Sequence, residues 1–193
     1  MIVVVGGNTR NIGKTTLVCD IIRALPEMNW TAVKITQYGH SACAHEGGDC
    51  GCAPADPACP YALDEQTAVD STDTGRYLEA GARHSFWLRT RAGLLAEGLP
   101  ALREVMSRAA HVVIESNSVM QFIQPDLYLA VVDRSSGDFK LSAQKALTLA
   151  DLLVTPQQLP QAVARVRELA VRPADQQAAG KLTETTMRSS GPE

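Results

Sequence analysis

The sequence has no excess of charge of either sign and no long hydrophobic run. Its 18 Lys and Arg stand against 21 Asp and Glu, a net charge of −3, so it lacks the basic surface that nucleic-acid binding requires. Its apolar runs are far shorter than the roughly 20 residues that cross a membrane. It also lacks a charged opening segment followed by a cleavage site, as secretory leaders have. These absences predict a cytoplasmic protein that binds neither nucleic acid nor a membrane.

Short apolar runs alternate with amphipathic segments along the 193 residues. The predicted strands are 2–5, 30–36, 84–89, 111–115, 127–132 and 150–155, and the predicted helices are 13–25, 73–80, one that Pro100 opens, and 159–169. This alternation predicts an α/β fold with a mainly parallel central sheet flanked by helices. We expect one domain over residues 1–172, with an irregular insertion at 37–64 after the second strand. The polar segment 173–193 is predicted to be a disordered tail.

The segment between the first strand and the first helix has the pattern of a phosphate-binding loop, which ends in Gly-Lys-Thr-Thr. In such a loop the backbone N–H groups and the positive end of the helix face the phosphates of a nucleoside triphosphate. The lysine reaches the β- and γ-phosphates, and the first hydroxyl binds Mg²⁺. Asn8 stands where glycine is usual, and a glycine comes one position earlier, so the loop is a longer variant. The predicted nucleotide-binding residues are Gly7, Asn8, Thr9, Arg10, Asn11, Ile12, Gly13, Lys14, Thr15 and Thr16.

Three further charged residues are candidates for binding Mg²⁺ or phosphate. Glu115 ends an apolar strand and Asp133 follows the next one; carboxyl ends of parallel strands form the edge where ligands bind. We predict that Glu115, rather than Asp133, joins Thr15 in holding Mg²⁺. Lys34 lies within an apolar strand, and a buried lysine needs an anionic partner such as a phosphate, unless it reaches water from a sheet edge. Lys14, Lys34 and Glu115 are the predicted catalytic residues.

Four of the five cysteines fall within seventeen residues of the irregular segment: Cys43, Cys50, Cys52 and Cys59. In a reducing cytosol such a group binds metal more often than it forms disulfides. Four thiolates satisfy a tetrahedral Zn²⁺ ion, our first choice, and an iron–sulfur cluster uses the same set. A redox role and incidental cysteines are the remaining interpretations.

Three motifs together resemble the MobB family of P-loop proteins, which are associated with molybdopterin-guanine dinucleotide biosynthesis. They are Gly13-Lys14-Thr15-Thr16-Leu17, then Val33-Lys34-Ile35-Thr36, and Asp73-Thr74-Gly75-Arg76-Tyr77-Leu78-Glu79-Ala80-Gly81-Ala82. The family also has a glutamate at the end of a later strand, where Glu115 stands, but Ser116-Asn117 replace the glycine that usually follows it. The resemblance covers residues 2–115. It implies a nucleotide-binding adaptor with weak GTPase activity, a protein partner in cofactor or metal-centre assembly, and a possible homodimer.

Other features favour alternatives. The Gly-x-x-Thr stretch before Gly-Lys-Thr also resembles dethiobiotin synthetase, an ATP-dependent ligase, and the family pattern lacks the cysteine insertion. Strand 150–155 resembles the one that precedes the guanine-reading motif of related GTPases, but Pro156-Gln157-Gln158 follows it, so GTP and ATP both stay open. Three functions result: a slow Mg²⁺-dependent NTPase acting as an adaptor, an ATP-dependent small-molecule kinase or ligase, and a metal carrier or scaffold that binds nucleotide without hydrolysing it.

Overall fold

A computed structural model of the chain describes residues 1–39, 59–133 and 147–171. Its strands are β1 (Ile2–Gly7), β2 (Thr31–Tyr38), β3 (Tyr61–Gln66), β4 (His84–Arg91), β5 (Val112–Glu115), β6 (Leu127–Val131) and β7 (Leu152–Val154). Its α-helices are α1 (Lys14–Ala24), α2 (Asp73–Glu79), α3 (Leu95–Ser107) and α4 (Leu159–Val171). Strands and helices alternate over most of the described chain, as the α/β prediction requires.

The strands form one seven-stranded sheet in the order β3-β4-β2-β5-β1-β6-β7. Every neighbouring pair is parallel except β3 and β4, which are antiparallel. The prediction of a mainly parallel sheet is therefore confirmed. Strand β5 lies between β1 and β2, so one strand separates Lys34 from the strand that leads into the β1–α1 loop.

Apolar side chains alternate along the central strands, so both faces of the sheet are buried. On one face Val3, Val5 and Val113 pack with residues of α1, α2 and α4. On the other face Val4, Val33 and Ile114 pack with the leucines of α3. Because the central strands are covered on both faces, the sites open to ligands lie where the strands end.

Two elements differ from the sequence prediction. The segment expected to be irregular as far as residue 64 contains β3, an edge strand whose Tyr61 and Leu63 pack toward α3 while Asp64 pairs with Arg89 of β4 on the opposite face. The six residues of this strand do not alternate, because Tyr61, Ala62 and Leu63 are followed by Asp64, Glu65 and Gln66, so no period of two marks it as a strand. Helix α3 begins five residues before Pro100, because burying Leu95 outweighs the single helical hydrogen bond that a proline removes.

The helix predicted at 73–80 is confirmed as α2. The side-chain oxygen of Thr72 accepts a hydrogen bond from the backbone N–H of Gly75 (3.0 Å) and caps its start. Gly81 follows its end with a φ of 103°, a left-handed conformation that glycine adopts without strain.

Several predictions lie outside the described residues. They are Cys43, Cys50 and Cys52, most of the insertion at 37–64, and the tail at 173–193. In the ranges that are described, none of the helices combines the length and the apolar character needed to cross a membrane.

Candidate functional site

The loop between β1 and α1 has the backbone of an anion site. Gly13 precedes the first turn of α1 with a φ of 102°, and Asn11 also adopts a positive φ of 55°. Helix α1 starts without a side chain that caps its first N–H groups and without an acidic residue in its first turn. These N–H groups and the positive end of the helix dipole are therefore available to an anion.

Lys14 folds back over this loop. Its Nζ donates to the backbone carbonyl oxygen of Thr9 (2.6 Å). Burial lowers the pKa of Lys14, and the attraction of Glu115 offsets this only in part. A cation whose charged form is disfavoured by burial gains free energy when an anion joins it, so Lys14 favours a phosphate at the mouth of the loop.

Glu115 is the centre of the polar cluster beside the loop. It is 3% exposed, and sheet register places it next to Val5 of β1 on one side and Lys34 of β2 on the other. Its carboxylate accepts hydrogen bonds from the Thr15 hydroxyl (2.8 Å), the Lys34 ammonium and the Tyr77 hydroxyl. The cluster thus joins α1, β2 and α2 at a single buried charge.

Lys34 has two carboxylates as its anionic partners. It pairs with Glu115 and lies 2.9 Å from Asp73, the first residue of α2. Burial lowers the pKa of Lys34, but Glu115 and Asp73 outweigh this and the net shift is upward. For Asp73 burial acts in the opposite direction and raises the pKa. The neighbouring Lys34 and the Thr15 hydroxyl outweigh this, so the net shift of the Asp73 pKa is downward. Both groups are held in their charged forms.

Tyr77 contributes a buried hydroxyl to Glu115, a contact that the sequence did not reveal. Its side chain is fully buried, and burial together with the Glu115 charge holds its pKa well above the ordinary tyrosine value. The hydroxyl therefore stays protonated and donates to the carboxylate.

Replacing Tyr77 with phenylalanine should lower the free energy of unfolding by about 2 kcal/mol, because a hydrogen bond to a charged group is lost. The matched control is Tyr128→Phe, since Tyr128 is also 0% exposed and its hydroxyl donates to the neutral amide oxygen of Asn117 (3.3 Å); its loss should cost about 1 kcal/mol. Urea unfolding of both variants measures the two losses. Equal losses would contradict the role assigned to the Tyr77 hydroxyl.

The two candidate magnesium carboxylates lie on opposite sides of β1. Glu115 belongs to β5, whereas Asp133 follows β6 and its backbone pairs with the side chain of Asn8. The contact with Thr15 favours Glu115, because a hydroxyl and a carboxylate are the hard oxygen ligands that Mg²⁺ prefers. Asp73 also belongs to this cluster, through its contact with Lys34. The sequence analysis named it only as the first residue of the motif at 73–82.

Of the four cysteines, the structure describes Cys59, which is exposed just before β3. Within the described ranges, no group of three or more His, Cys, Asp or Glu side chains is arranged to hold a metal ion. The cysteine site remains a prediction, since three of its members lie beyond those ranges.

A cleft of about 340 Å³ lies at the opposite ends of the strands. It is lined by the first residues of β2 and β4, Thr31 and His84, with Glu65 and Arg108 nearby. His84 Nδ1 lies 2.8 Å from the Glu65 carboxylate. The cleft shares no lining residue with the Lys14–Glu115 cluster, so the two are separate features of the surface.

No protein-family model and no curated protein matches this chain. Among solved structures, that of LpxK from Aquifex aeolicus, described as an apo form in complex with ATP, is similar over 81% of this chain, with 16% sequence identity and a TM-score of 0.48. The match covers 48% of LpxK, so this chain spans about half the length of that protein.

Proposed function

We propose that this chain binds a nucleoside triphosphate with Mg²⁺ at the β1–α1 loop and hydrolyses it slowly. The observation that carries the proposal is the contact between the Thr15 hydroxyl and the buried Glu115 carboxylate (2.8 Å), next to a helix start that is open to anions. This is the arrangement that phosphoryl transfer needs, because its catalysis rests on positioning and charge neutralisation.

Each side chain of the cluster has a role in this proposal. Lys14 leaves the Thr9 carbonyl and binds the β- and γ-phosphates. Thr15 and Glu115 hold the magnesium ion, which neutralises charge on the phosphates. Lys34, held between Glu115 and Asp73, stabilises the charge that develops on the γ-phosphate.

The proposed rate is slow because the Glu115 carboxylate is already engaged by the protein. It accepts three hydrogen bonds, one of them from an ammonium group, so little of its acceptor capacity is left for an attacking water molecule. A residue so engaged holds a metal ion better than it activates water. Slow hydrolysis is what an adaptor whose nucleotide state signals to a partner requires.

Titration calorimetry with ATP and with GTP, each with and without Mg²⁺, tests the binding proposal. We expect binding of at least one nucleotide, strengthened by Mg²⁺, together with slow phosphate release. The double variant Thr15→Val/Glu115→Gln lacks both proposed magnesium ligands, so it should bind nucleotide with the same affinity in the presence and in the absence of Mg²⁺. Failure of both nucleotides to bind the parent protein would overturn the proposal.

The adaptor role comes from the resemblance to the MobB family, and the cysteine group suggests that the assembled centre contains metal. We propose that Cys43, Cys50, Cys52 and Cys59 bind Zn²⁺ or an iron–sulfur cluster and that metal occupancy is coupled to nucleotide binding. The cysteine segment begins directly after β2, the strand of Lys34. A ligand at either site would then change affinity at the other by the same factor.

Changing these four cysteines to serine should remove the metal from the purified protein. The expected result is a stoichiometric metal content in the parent and in the control Cys19→Ala, whose cysteine is buried in the α1 core, and none in the four-serine variant. Elemental analysis measures the content, and titration of each form with nucleotide measures coupling. Equal nucleotide affinities in the metal-bound and metal-free forms would reject the coupling.

A second candidate function, a small-molecule kinase or ligase, is favoured by the polar side chains that continue from Lys34 along the same face of the sheet. Trp87 pairs in register with Lys34 and donates from Nε1 to the Thr36 hydroxyl (3.0 Å). The Arg89 guanidinium lies 4.7 Å from the centre of the Trp87 ring. An acceptor bound here would lie close to the γ-phosphate. ADP formation that depends on an added carboxylic acid or amine would select this function over the adaptor.

A further inference from the structure

The base of the phosphate-binding loop is held on both sides by asparagine side chains. Strand β5 makes its last register pair with β1 at Glu115 and Val5. Two residues later the Asn117 side chain continues this pairing. Its Oδ1 accepts from the backbone N–H of Gly7 (2.8 Å), and its Nδ2 donates to the Gly7 carbonyl (2.7 Å).

Asn8 makes the equivalent pair of bonds on the other side of β1. Strand β6 makes its last register pair with β1 at Val131 and Gly7. The Asn8 side chain then donates from Nδ2 to the Asp133 carbonyl (2.9 Å), while its Oδ1 accepts from the Asp133 backbone N–H (3.0 Å). Asn8 is 4% exposed, so these bonds are shielded from water.

These contacts explain the residue types at the start of the loop. A Cβ at Gly6 would overlap Asn117 Oδ1 and the Tyr128 hydroxyl, so the close approach of Asn117 requires glycine there. A Cβ at Gly7 would lie 2.8 Å from the Val131 carbonyl oxygen. Asn8 replaces the usual glycine because its amide is used to bind the end of β6.

The rest of the loop is held less firmly. Arg10 and Asn11 are exposed, whereas Ile12 is buried under the loop. The chain therefore has a fixed base at Gly7 and Asn8, an anchor at Ile12, and an exposed tip between them. A fixed base reduces the conformational entropy that is lost when the loop closes on a ligand.

We infer that Asn8 and Asn117 are positioning residues that preorganise the loop for phosphate, and that Asn117 also fixes the distance between the loop and Glu115, two residues away along the chain. This inference rests on the proposed nucleotide-binding function. Each asparagine replaces a pair of backbone hydrogen bonds that the neighbouring strand no longer supplies. Neither side chain needs to touch the nucleotide to set its affinity.

The test compares Asn8→Leu and Asn117→Leu, which keep the branching and the number of side-chain heavy atoms and remove both hydrogen bonds, with the control Asn29→Gly. Asn29 is an exposed residue with a φ of 48°, where glycine fits without strain. Amide hydrogen exchange by NMR should show faster exchange of the Gly7 amide in Asn117→Leu and of the Asp133 amide in Asn8→Leu. Each leucine variant should also bind Mg²⁺-nucleotide roughly tenfold more weakly, as expected for two lost hydrogen bonds.

Two further comparisons separate positioning from general stability. If Asn117→Leu does not fold, Asn117→Asp takes its place in the test. The aspartate keeps an oxygen acceptor for the Gly7 N–H, so the Gly7 amide should stay protected from exchange. Uniformly faster exchange across α4 and the loop, or nucleotide affinity within twofold of the parent in both leucine variants, would overturn the inference. If the parent binds no nucleotide, the proposed function fails, and the exchange of the Gly7 and Asp133 amides still decides whether the asparagines fix the loop.

Discussion

Replacing Lys14 with alanine should remove nucleotide binding and leave the protein folded. Lys14 is the cation proposed to bind the β- and γ-phosphates, and its Nζ makes a hydrogen bond of 2.6 Å to the neutral Thr9 carbonyl, so the folded state loses little when it is removed. The bound state loses a charge-assisted contact to phosphate, and we expect affinity to fall by roughly a hundredfold. Calorimetric titration measures this loss, and thermal unfolding confirms that the fold persists.

The control for charge is Arg103→Ala, which removes one cation from the exposed surface of α3. It should change affinity by less than twofold. A pH series adds a second check: burial lowers the pKa of Lys14, so affinity should fall as rising pH removes its proton, at lower pH than for an ordinary lysine. Retained affinity in Lys14→Ala would show that the phosphates bind elsewhere.

Replacing Glu115 with glutamine should have the second large effect, on both hydrolysis and stability. The neutral amide holds Mg²⁺ poorly, so phosphate release should fall by roughly a hundredfold. The free energy of unfolding should fall by about 3 kcal/mol, because one partner of a buried ion pair is removed. Lys34 then keeps the partly exposed Asp73 as a counter-charge.

The double variant Lys34→Met/Glu115→Gln separates these two effects. It removes both charges of the pair, so most of the lost stability should return, since neither of the two charges is then left buried without the other. Hydrolysis should stay low. Normal hydrolysis in a stably folded Glu115→Gln variant would show that Glu115 is structural and that another group holds the metal ion.

Much of the site could be predicted because its signals are local. The spacing of Leu17, Val18 and Ile21 along 13–25 identified α1, and Gly13-Lys14-Thr15 placed a phosphate-binding loop before it. Glu115 was predicted from its place at the end of an apolar strand. The contact of its carboxylate with the Thr15 hydroxyl agrees with that choice, while its proposed role in holding Mg²⁺ is still to be tested.

The missed residues lack such signals. Nothing in the sequence around Tyr77 distinguishes a hydroxyl that donates to Glu115 from an ordinary core tyrosine. Asn117 was visible only as a departure from the glycine that is usual in the MobB pattern. Asn8 was predicted as a nucleotide-binding residue of the loop, but not as a side chain that binds the end of β6. Their contacts with Gly7 and Asp133 connect residues more than a hundred positions apart, and spacing along the chain carries no information about such pairs.

The sequence by itself determined the α/β class and the position of the loop, because periodicity and glycine placement act over a few residues. For Lys34 it left two outcomes, an anionic partner or a side chain that reaches water. Only the tertiary structure decided between them, and it supplies Glu115 and Asp73 as the anions. By inserting β5 between β1 and β2, the sheet brings Glu115 into register with both Val5 and Lys34. Strand order follows from how all the helices cover the sheet together, so it is a property of the whole packed core.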